Sequence, residues 1–217
     1  MRIRHRTAED FRTQPWKNGG GKTTELEVEP DVTPSPALPQ GGGSDSGAHG
    51  EGSKFLWRLS IADVERSGPF SDFAGYKRTI MLLEGDGMAL TFDGTEPQRI
   101  AEPHRPFVFD GGWKTECRLL GGPVRDLNLM VERGRAWGSL QAKALERPTD
   151  LLLGARWELV LALRGAIEAG VDGESNRLQP GELLRLDNAQ GRTLALRPLE
   201  PGCRVAHIAI DLESTPR

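Results

Sequence analysis

The stretch DGESNRLQPGELLRLD, residues 172–187, decides the fold class of this 217-residue chain. It opens with an Asp-Gly turn signal, passes through a Pro-Gly turn and ends in an apolar strand that stops at Asp187. The run that precedes it, Glu158–Gly165, is apolar and ends at a glycine. Short apolar runs separated by glycine and proline turns are typical of antiparallel β-sheets.

The same order of elements occurs earlier in the chain. Ile80–Gly85 is an apolar run that ends at glycine, Asp93-Gly94 repeats the turn, and Phe107–Asp110 repeats the strand that stops at Asp. A closing strand follows in each copy, at Cys117–Leu120 and Thr193–Leu196. The sequence therefore predicts two copies of one all-β unit, offset by roughly 80 residues.

In its short strands and glycine turns the repeated unit resembles the cupin, a jelly roll of two sheets. The resemblance implies an all-β bicupin, with two tandem cupin-type jelly-roll β-barrels in one compact chain. We divide it into an N-terminal cupin-like barrel over residues 1–122 and, over 123–217, a bridging segment followed by a C-terminal cupin-like barrel. Within the bridging segment, Ser139–Glu146 is left open as a short helix or a strand.

Residues 31–53, DVTPSPALPQGGGSDSGAHGEGS, interrupt the first unit. They are rich in Pro and then in Gly and Ser, so burial cannot offset the entropy lost on ordering them. Their flanks, Thr24–Glu29 and Phe55–Ile61, alternate in the manner of strands. We therefore predict a disordered insertion near 31–53 that joins two strands at the surface.

Composition excludes several classes of protein. The net charge of −3 lacks the basic footprint of a nucleic-acid binder. No apolar run approaches the roughly 18–20 residues of a membrane helix, and the charged N-terminus has no apolar signal region. We expect a soluble, cytoplasmic protein that binds neither nucleic acid nor membrane, and a homodimer is kept open. The two cysteines, Cys117 and Cys203, are expected to be packed as small apolar residues.

Histidine spacing argues against a metal centre. Cupins that bind a metal often use two histidines separated by one residue, a glutamate soon after and a later histidine. Where that pair would lie, the two copies read Leu90-Thr91-Phe92 and Gly170-Val171. We predict no metal and no other cofactor. The four histidines of the chain are far apart: His5, His49, His104 and His207.

The stretch PWKNGGGKT, residues 15–23, raises the question of anion binding. Gly21-Lys22-Thr23 matches the end of a nucleotide-binding loop, but Trp16 stands where that loop needs its first glycine. The residues that follow have the period of a strand, whereas the loop must open a helix. A nucleotide site is therefore rejected.

Two interpretations of this stretch remain open. It is either a structural turn before a strand or a loop that holds a small anion. Gly19 and Gly20 permit close approach of backbone amides, and Trp16 offers an apolar wall. Lys17 supplies charge, and Asn18 supplies both a hydrogen-bond donor and an acceptor.

Three longer stretches resemble the HutD/Ves family: PWKNGGGKTTEL (15–26), WRLSIADVERSGPFSDFAGYKRTIMLLEGDGMAL (57–90) and LLGGPVRDLNLM (119–130). The likeness covers nearly the whole chain except 31–53. It implies a bicupin-like β-barrel. HutD members are associated with histidine utilisation and look like regulators or binders of a small metabolite, for which formylglutamate is a suggested ligand. Ves members are associated with cold or stress response.

Residues of these stretches form the predicted ligand site. A dicarboxylate needs cationic side chains and amide donors in a partly closed cavity. Because side chains alternate along a strand, Asp126 and Asn128 share one face and Arg125 takes the other. A structural ion pair is the alternative for each arginine, and a structural network for Asp126 and Asn128. No catalytic residue is assigned, and the predicted ligand contacts are Trp16, Lys17, Asn18, Gly19, Gly20, Arg58, Ser60, Arg78, Arg125, Asp126 and Asn128.

Three functions compete at this point. The first is a metal-free protein that binds a small anionic metabolite and has a regulatory role in histidine utilisation or stress response. The second is a metal-free isomerase or hydrolase of such an acid, for which Asp126, Asp110 and Glu25 are the candidate acid–base groups. The third is a partner-binding role for residues 31–53, which no feature of the sequence positively supports.

Overall fold

A computed structural model of the chain describes residues 1–31 and 54–213. These residues contain nineteen strands and one short 3-10 helix, Ala8–Asp10, and no α-helix occurs among them. The all-β prediction is confirmed. In chain order the strands are β1 (Arg2–Arg6), β2 (Arg12–Pro15), β3 (Gly21–Pro30), β4 (Phe55–Val64), β5 (Gly68–Pro69), β6 (Tyr76–Glu84), β7 (Met88–Phe92), β8 (Gln98–Ile100), β9 (Pro106–Asp110), β10 (Thr115–Leu119), β11 (Val124–Glu132), β12 (Ala136–Leu145), β13 (Thr149–Leu152), β14 (Trp157–Arg164), β15 (Ile167–Val171), β16 (Glu174–Leu178), β17 (Leu183–Asp187), β18 (Thr193–Pro198) and β19 (Cys203–Leu212).

The strands form four antiparallel sheets. The first large sheet has the order β2-β3-β4-β11-β6-β9, and the first small sheet has the order β5-β10-β7-β8. The second large sheet is β1-β17-β14-β19-β12, and the second small sheet is β13-β18-β15-β16. A large and a small sheet face each other in each half, as in a jelly roll, and the sheets stay open at their edges.

The internal repeat predicted from the sequence is confirmed by the strand order. Each strand of the first unit corresponds to the strand eight positions later in the second unit. The order β4-β11-β6-β9 thus corresponds to β12-β19-β14-β17, and β5-β10-β7-β8 corresponds to β13-β18-β15-β16. The first unit is therefore β4–β11, residues 55–132, and the second is β12–β19, residues 136–212. Gly85 and Gly165, which follow β6 and β14, both have a positive φ, of 97° and 70°.

The units divide the chain at a different place from the one expected after residue 122. Strand β11 lies in the middle of the first large sheet, between β4 and β6, so it is not part of a bridge. Residues 123–150 contain β11, β12 and the start of β13, and the segment Ser139–Glu146 falls largely in strand β12. The Gly121-Gly122 turn resembled a boundary, but it connects two strands of the same unit. At the other end, β1 pairs with β17 of the second unit.

Strands β3 and β4 flank the predicted insertion, and the strand predictions for Thr24–Glu29 and Phe55–Ile61 are confirmed. The Asp31 amide donates to the Lys54 carbonyl at 3.3 Å, which continues the pairing of the two strands. The predicted disorder near 31–53 lies outside the described residues except at Asp31.

Three apolar cores stack the four sheets into layers. One core lies inside each unit, between its large and small sheets, and the two buried cysteines belong to these cores. The third core lies between the two large sheets, where Trp57 of β4 meets Trp157 of β14 with ring centroids 5.9 Å apart. The large sheets are therefore packed back to back, and each unit's interior faces away from the other unit.

A buried ion network also joins the two large sheets. The side chain of Arg185 on β17 is only 3% exposed and pairs with Glu27 on β3 at 3.2 Å, with Glu29, and with Asp187 at 2.7 Å. Its guanidinium lies 4.8 Å from the centre of the Trp57 ring. Burial opposes the charge, but hydrogen bonds to Asp187 and Glu29 outweigh it and raise the pKa of Arg185.

We expect Arg185→Leu to lower the free energy of unfolding by about 3–5 kcal/mol, because it leaves buried carboxylates without their counter-charge. Urea unfolding followed by tryptophan fluorescence measures the change. Arg118→Leu, on an exposed position of β10, is the control and should stay within about 0.5 kcal/mol of the parent chain. Equal stability of the two variants would contradict the assigned role of Arg185.

Candidate functional site

The central strands of the first large sheet present two different faces. On β4, β11 and β6, side chains such as Trp57, Leu127 and Met81 pack into the core between the large sheets. Since successive side chains of a strand point to opposite faces, the residues between them face the interior of the first unit. Arg125, predicted to oppose Asp126 and Asn128, does so.

Strand register arranges the inward-facing side chains in rows. Antiparallel pairing places each inward residue of β11 beside one residue of β4 and one of β6. A row that carries two arginines is followed by a row with a hydroxyl and an amide, and then by a row with a carboxyl group. Read from β4 through β11 to β6, the rows are Arg58–Met130–Arg78, Ser60–Asn128–Ile80 and Ala62–Asp126–Leu82.

A cavity of about 460 Å³ lies over these rows. The turn between β2 and β3 and the segment that follows β5 form its other walls. Its charged lining consists of four cations, Arg12, Lys17, Arg58 and Arg78, and two carboxyl groups, Glu25 and Asp126. Eight of the eleven predicted ligand residues line the cavity: Trp16, Lys17, Asn18, Arg58, Ser60, Arg78, Asp126 and Asn128.

Arg78 is held by aromatic rings. Its side chain is buried, and its guanidinium lies 5.4, 5.3 and 4.9 Å from the ring centres of Phe70, Phe73 and Phe109. No carboxylate of the described residues lies within ion-pair distance of it, and its Nε has no hydrogen-bond partner in the protein. Burial lowers the pKa of Arg78 to about 10, against the opposing effect of Asp126. Arg78 remains charged at neutral pH.

Arg58 is held in a similar way. Its guanidinium lies 5.0 Å from the centre of the Phe55 ring and 5.2 Å from that of Phe73, and it contacts the Met130 sulfur at 3.5 Å. Burial lowers the pKa of Arg58, and Glu25 opposes that shift. The alternative of a structural ion pair is therefore not what the structure shows for either arginine of this row. Both guanidiniums keep N–H donors that no carboxylate of residues 1–31 and 54–213 occupies.

Asp126 is a buried carboxyl group beside the cations. It is 2% exposed, and its Oδ1 has no hydrogen-bond partner among the described residues. Burial raises the pKa of Asp126 to about 7, with Arg78 lowering it and Asp63 raising it further. The Oδ1 of Asn128 is also buried without a partner. The rows beside the arginine row therefore present a carboxyl group and an amide oxygen that are buried without a hydrogen-bond partner among the described residues.

The glycines of PWKNGGGKT do not form the predicted amide cup. The Gly19 amide donates to the Trp16 carbonyl at 3.0 Å, and the Gly20 amide donates to Asn18 Oδ1 at 2.9 Å. The Gly20 carbonyl accepts the Glu65 amide at 2.8 Å. Gly19 and Gly20 are therefore a turn whose amides are already bonded, and neither lines the cavity. Their contact with a ligand stays a prediction that this turn does not support.

The tryptophan of the same stretch does form a wall. Trp16 Nε1 donates to Thr23 Oγ1 at 2.7 Å, which fixes the ring, and the ring meets Phe70 edge-on with centroids 6.4 Å apart. Strand β3 begins directly after the turn, at Gly21, so no helix follows the glycines. The rejection of a nucleotide-binding loop agrees with this geometry.

Arg125 lies outside the cavity, on the other face of β11. Its Nε is 3.1 Å from Asp63 Oδ1, and its Nη1 is 3.7 Å from Glu84 Oε1. For Arg125 the structure shows the alternative of an ion pair, and its contact with a ligand stays a prediction. Asp110, one of the three candidate acid–base groups, pairs with Arg133 and is also absent from the cavity wall.

Sequence reasoning missed several residues of the wall. Arg12 and Gln14 line the cavity from β2, a four-residue exposed strand without an apolar member, so no alternation marked which face they take. Phe70 and Phe73 also line the cavity, and the sequence assigns neither of them to it. The aromatic residues that surround Arg78 mark the site, but their grouping becomes visible only when the pairing of the strands is known.

The second unit does not repeat this polar face. By register, Val205 stands where the first unit has Asp126, and His207 and Glu158 stand where it has Asn128 and Arg78. Glu158 accepts the Ala155 amide at 2.9 Å and contacts His207 Nε2 at 2.7 Å. The interior of the second unit is otherwise aliphatic. The candidate site therefore belongs to the first unit.

The cavity residues do not fit a divalent cation. The buried Arg78 and the half-buried Arg58 repel a metal, and a single buried carboxyl group with a raised pKa is a poor ligand set. Among residues 1–31 and 54–213, no three His, Cys, Asp or Glu side chains are grouped so that they could hold a metal ion. The expectation that the chain needs no metal or other cofactor stays a prediction.

Fold and site together define a cupin-type protein of two units, with a cationic cavity in the first unit. The cupin 2 conserved barrel domain protein from Leptotrichia buccalis has the same fold, with a TM-score of 0.50 and 10% identity over 73% of this chain and 84% of that one. The HutD family model matches residues 8–201, and the chain belongs to this family.

Individual relatives agree with the family assignment. An uncharacterised 21.2 kDa protein from the region 3′ of hutC in Pseudomonas putida is 40% identical over 83% of this chain and 84% of its own length. The protein Ves of Citrobacter koseri is 31% identical over 74% of each chain. The HutD family is linked to histidine utilisation.

Two solved structures cover nearly the whole chain. HutD from Pseudomonas fluorescens SBW25, solved in a formate condition, is 34% identical with a TM-score of 0.74. A conserved protein of unknown function from Pseudomonas aeruginosa PAO1 is 32% identical with a TM-score of 0.82. In both cases the match covers 98% of this chain and 100% of the other.

A separate observation concerns membranes. In the described part of the chain, no helix has the length and apolar character needed to cross a bilayer.

We expect Gly21→Ala to destabilise the fold by about 1–3 kcal/mol, because added atoms in a tightly packed site force the backbone apart. A Cβ on Gly21 would lie 2.2 Å from the Asp63 carbonyl oxygen. Thermal unfolding measures the effect. Gly122→Ala is the matched control, since a Cβ there meets nothing within 4 Å. If both variants melted together, the close approach of β3 and β4 at Gly21 would be refuted.

Proposed function

We propose that this chain is a metal-free binding protein for a small carboxylate metabolite, with formylglutamate as the candidate, and that it has a regulatory role in histidine utilisation or stress response. The observation that carries the proposal is the arginine row. Arg58 and Arg78 are positioned by aromatic rings, so their hydrogen-bond donors remain available for an anion.

The chemistry of the cavity supports a ligand of this class. Cations outnumber carboxyl groups on its wall, and Asp126 is only partly ionised at neutral pH, which makes the cavity electropositive. Its volume of about 460 Å³ falls within the range of about 300–1,000 Å³ that is usual for small-ligand sites. Arg12 on β2 gives a second carboxylate a cation of its own.

The names of the relatives give the proposal its biological setting. A protein from the region 3′ of hutC and a protein named HutD are both similar to this chain. These similarities support a role in histidine utilisation. The stress-response alternative rests on the family resemblance alone, and the similarity to the protein Ves of Citrobacter koseri keeps it open. A protein that binds a pathway acid without consuming it can report or buffer its concentration.

The first test is ligand binding by the purified chain. We expect N-formyl-L-glutamate to raise the melting temperature, and L-glutamate, urocanate and L-histidine form the comparison panel. Arg78→Met should weaken binding by about 30-fold or more, since removing one partner of a desolvated charge pair costs about 2–5 kcal/mol.

Arg125→Met is the matched control for this experiment. It removes the same charge from the other face of the same sheet, so it should leave the ligand affinity unchanged. Isothermal titration calorimetry gives both dissociation constants. No stabilisation by any member of the panel at millimolar concentration would count against the proposal, as would equal losses in the two variants.

One observation favours a second candidate function, a metal-free isomerase or hydrolase of the same acids. Asp126 is buried beside Arg78 with a pKa of about 7, which suits a general acid or base at neutral pH. Glu25 is the other carboxyl group of the cavity wall.

Turnover distinguishes this candidate from simple binding. Incubation of the chain with each acid of the panel, followed by NMR of the acid, would detect new products. If the chain is an enzyme, Asp126→Asn should abolish product formation while Arg125→Met keeps it. A chain that binds an acid and leaves it unchanged over many hours excludes catalysis on that acid.

A further inference from the structure

Asp126 has a position in the cavity that the proposed function leaves unexplained. An electropositive site for anions would gain nothing from an ionised carboxylate among its cations. Of the two carboxyl groups on the wall, Glu25 is partly exposed, whereas Asp126 is buried. The Oδ1 of Asp126 has no hydrogen-bond partner in the described part of the chain, although Asn128 lies two positions further along the same face.

The groups that surround Asp126 come from every element packed against it. Arg78 on β6 is the nearest cation and lies beyond 4 Å, and Arg58 on β4 belongs to the same row as Arg78. Asp63 on β4 acts on Asp126 from the other face of the sheet. The thiol of Cys117 on β10 faces it, and burial raises the pKa of that thiol to about 12, so it stays neutral. Arg12, Lys17 and Glu25 also line the cavity.

We propose that Asp126 couples anion binding to proton uptake: its carboxylic acid form donates an O–H to a carboxylate oxygen of the ligand, and wherever Asp126 is ionised in the free chain, each bound anion brings one proton from solvent onto it. The inference rests on the proposed function and adds the protonation state that the site selects. One proton leaves the solvent, one O–H bond forms on Asp126, and no other bond changes.

Electrostatics gives the reason. Two carboxylates that share a buried site cannot both stay ionised, because their repulsion is weakly screened there. The nearby arginines stabilise the negative charge of the ligand carboxylate. The proton therefore goes to Asp126, which is harder to ionise than the ligand. With a pKa of about 7 in the free chain, Asp126 takes up this proton at little cost near neutral pH.

The sign of the pH dependence follows from linkage. A bound anion raises the pKa of Asp126, so binding is strongest where Asp126 is already protonated in the free chain. Below about pH 7 the dissociation constant should be flat, and above it the constant should rise toward tenfold per pH unit until the pKa of the complex is reached.

The test is calorimetric titration with N-formyl-L-glutamate and with glutarate. The carboxylates of both probes stay ionised between about pH 6 and 9, so the probes add no titration of their own. Measurement at about pH 8 in phosphate and in Tris, whose ionisation enthalpies differ, yields the number of protons taken up. We expect a value close to one for the parent chain.

Matched variants assign the proton to Asp126. Asp126→Asn keeps the shape and a hydrogen-bond donor but cannot titrate, so it should bind with no proton uptake and a flat pH profile. Glu25→Gln removes the other carboxyl group of the wall and should keep the uptake of the parent chain. If Asp126→Asn does not fold, comparing proton uptake by the parent chain and by Glu25→Gln still shows whether Glu25 or Asp126 takes up the proton.

The outcomes separate the two proposals. Binding of either probe without proton uptake would overturn this inference and leave the proposed function standing. Uptake that persists in Asp126→Asn, or disappears in Glu25→Gln, would also overturn it. Failure of both probes to bind even at about pH 6 would overturn the inference together with the proposed function.

Discussion

The back-to-back contact of the two large sheets is the constraint on which the rest of the molecule depends. Trp57, Leu127 and Met81 must face the second unit to form that core. Because side chains alternate along a strand, the residues between them face the interior of the first unit. A slip of one residue would place the arginines between the large sheets and turn the tryptophan into the interior of the first unit. The stability of the interface therefore also fixes the chemistry of the cavity.

Aromatic support is what makes a buried arginine usable in this setting. A guanidinium held by carboxylates, such as Arg185 between the large sheets, is satisfied and contributes to structure. Arg78 is held by the faces of three rings, which restrict its position but occupy none of its N–H groups. One chain thus contains both kinds of buried arginine. The difference between them lies in the partners and not in the degree of burial.

The sequence carried more information about the fold than about the site. Glycine turns and repeated apolar runs predict two all-β units, but the Gly121-Gly122 turn has the same appearance inside a unit as between units. Alternation placed Arg125 opposite Asp126, yet which face is the interior depends on sheet packing, and no local pattern records that. Likewise, the amides of Gly19 and Gly20 are bonded within a turn whose geometry their flexibility alone does not determine.

The register match between the two units shows how the duplicated halves have diverged. Val205 stands at the position of Asp126, and the second interior is filled with aliphatic side chains. The second unit thus contributes an apolar core that stabilises the fold. The first unit holds buried charged groups, which would destabilise it if it folded alone. The lining of the cavity can therefore change during evolution with little effect on the fold, because the core of the second unit and the core between the two large sheets do not depend on it.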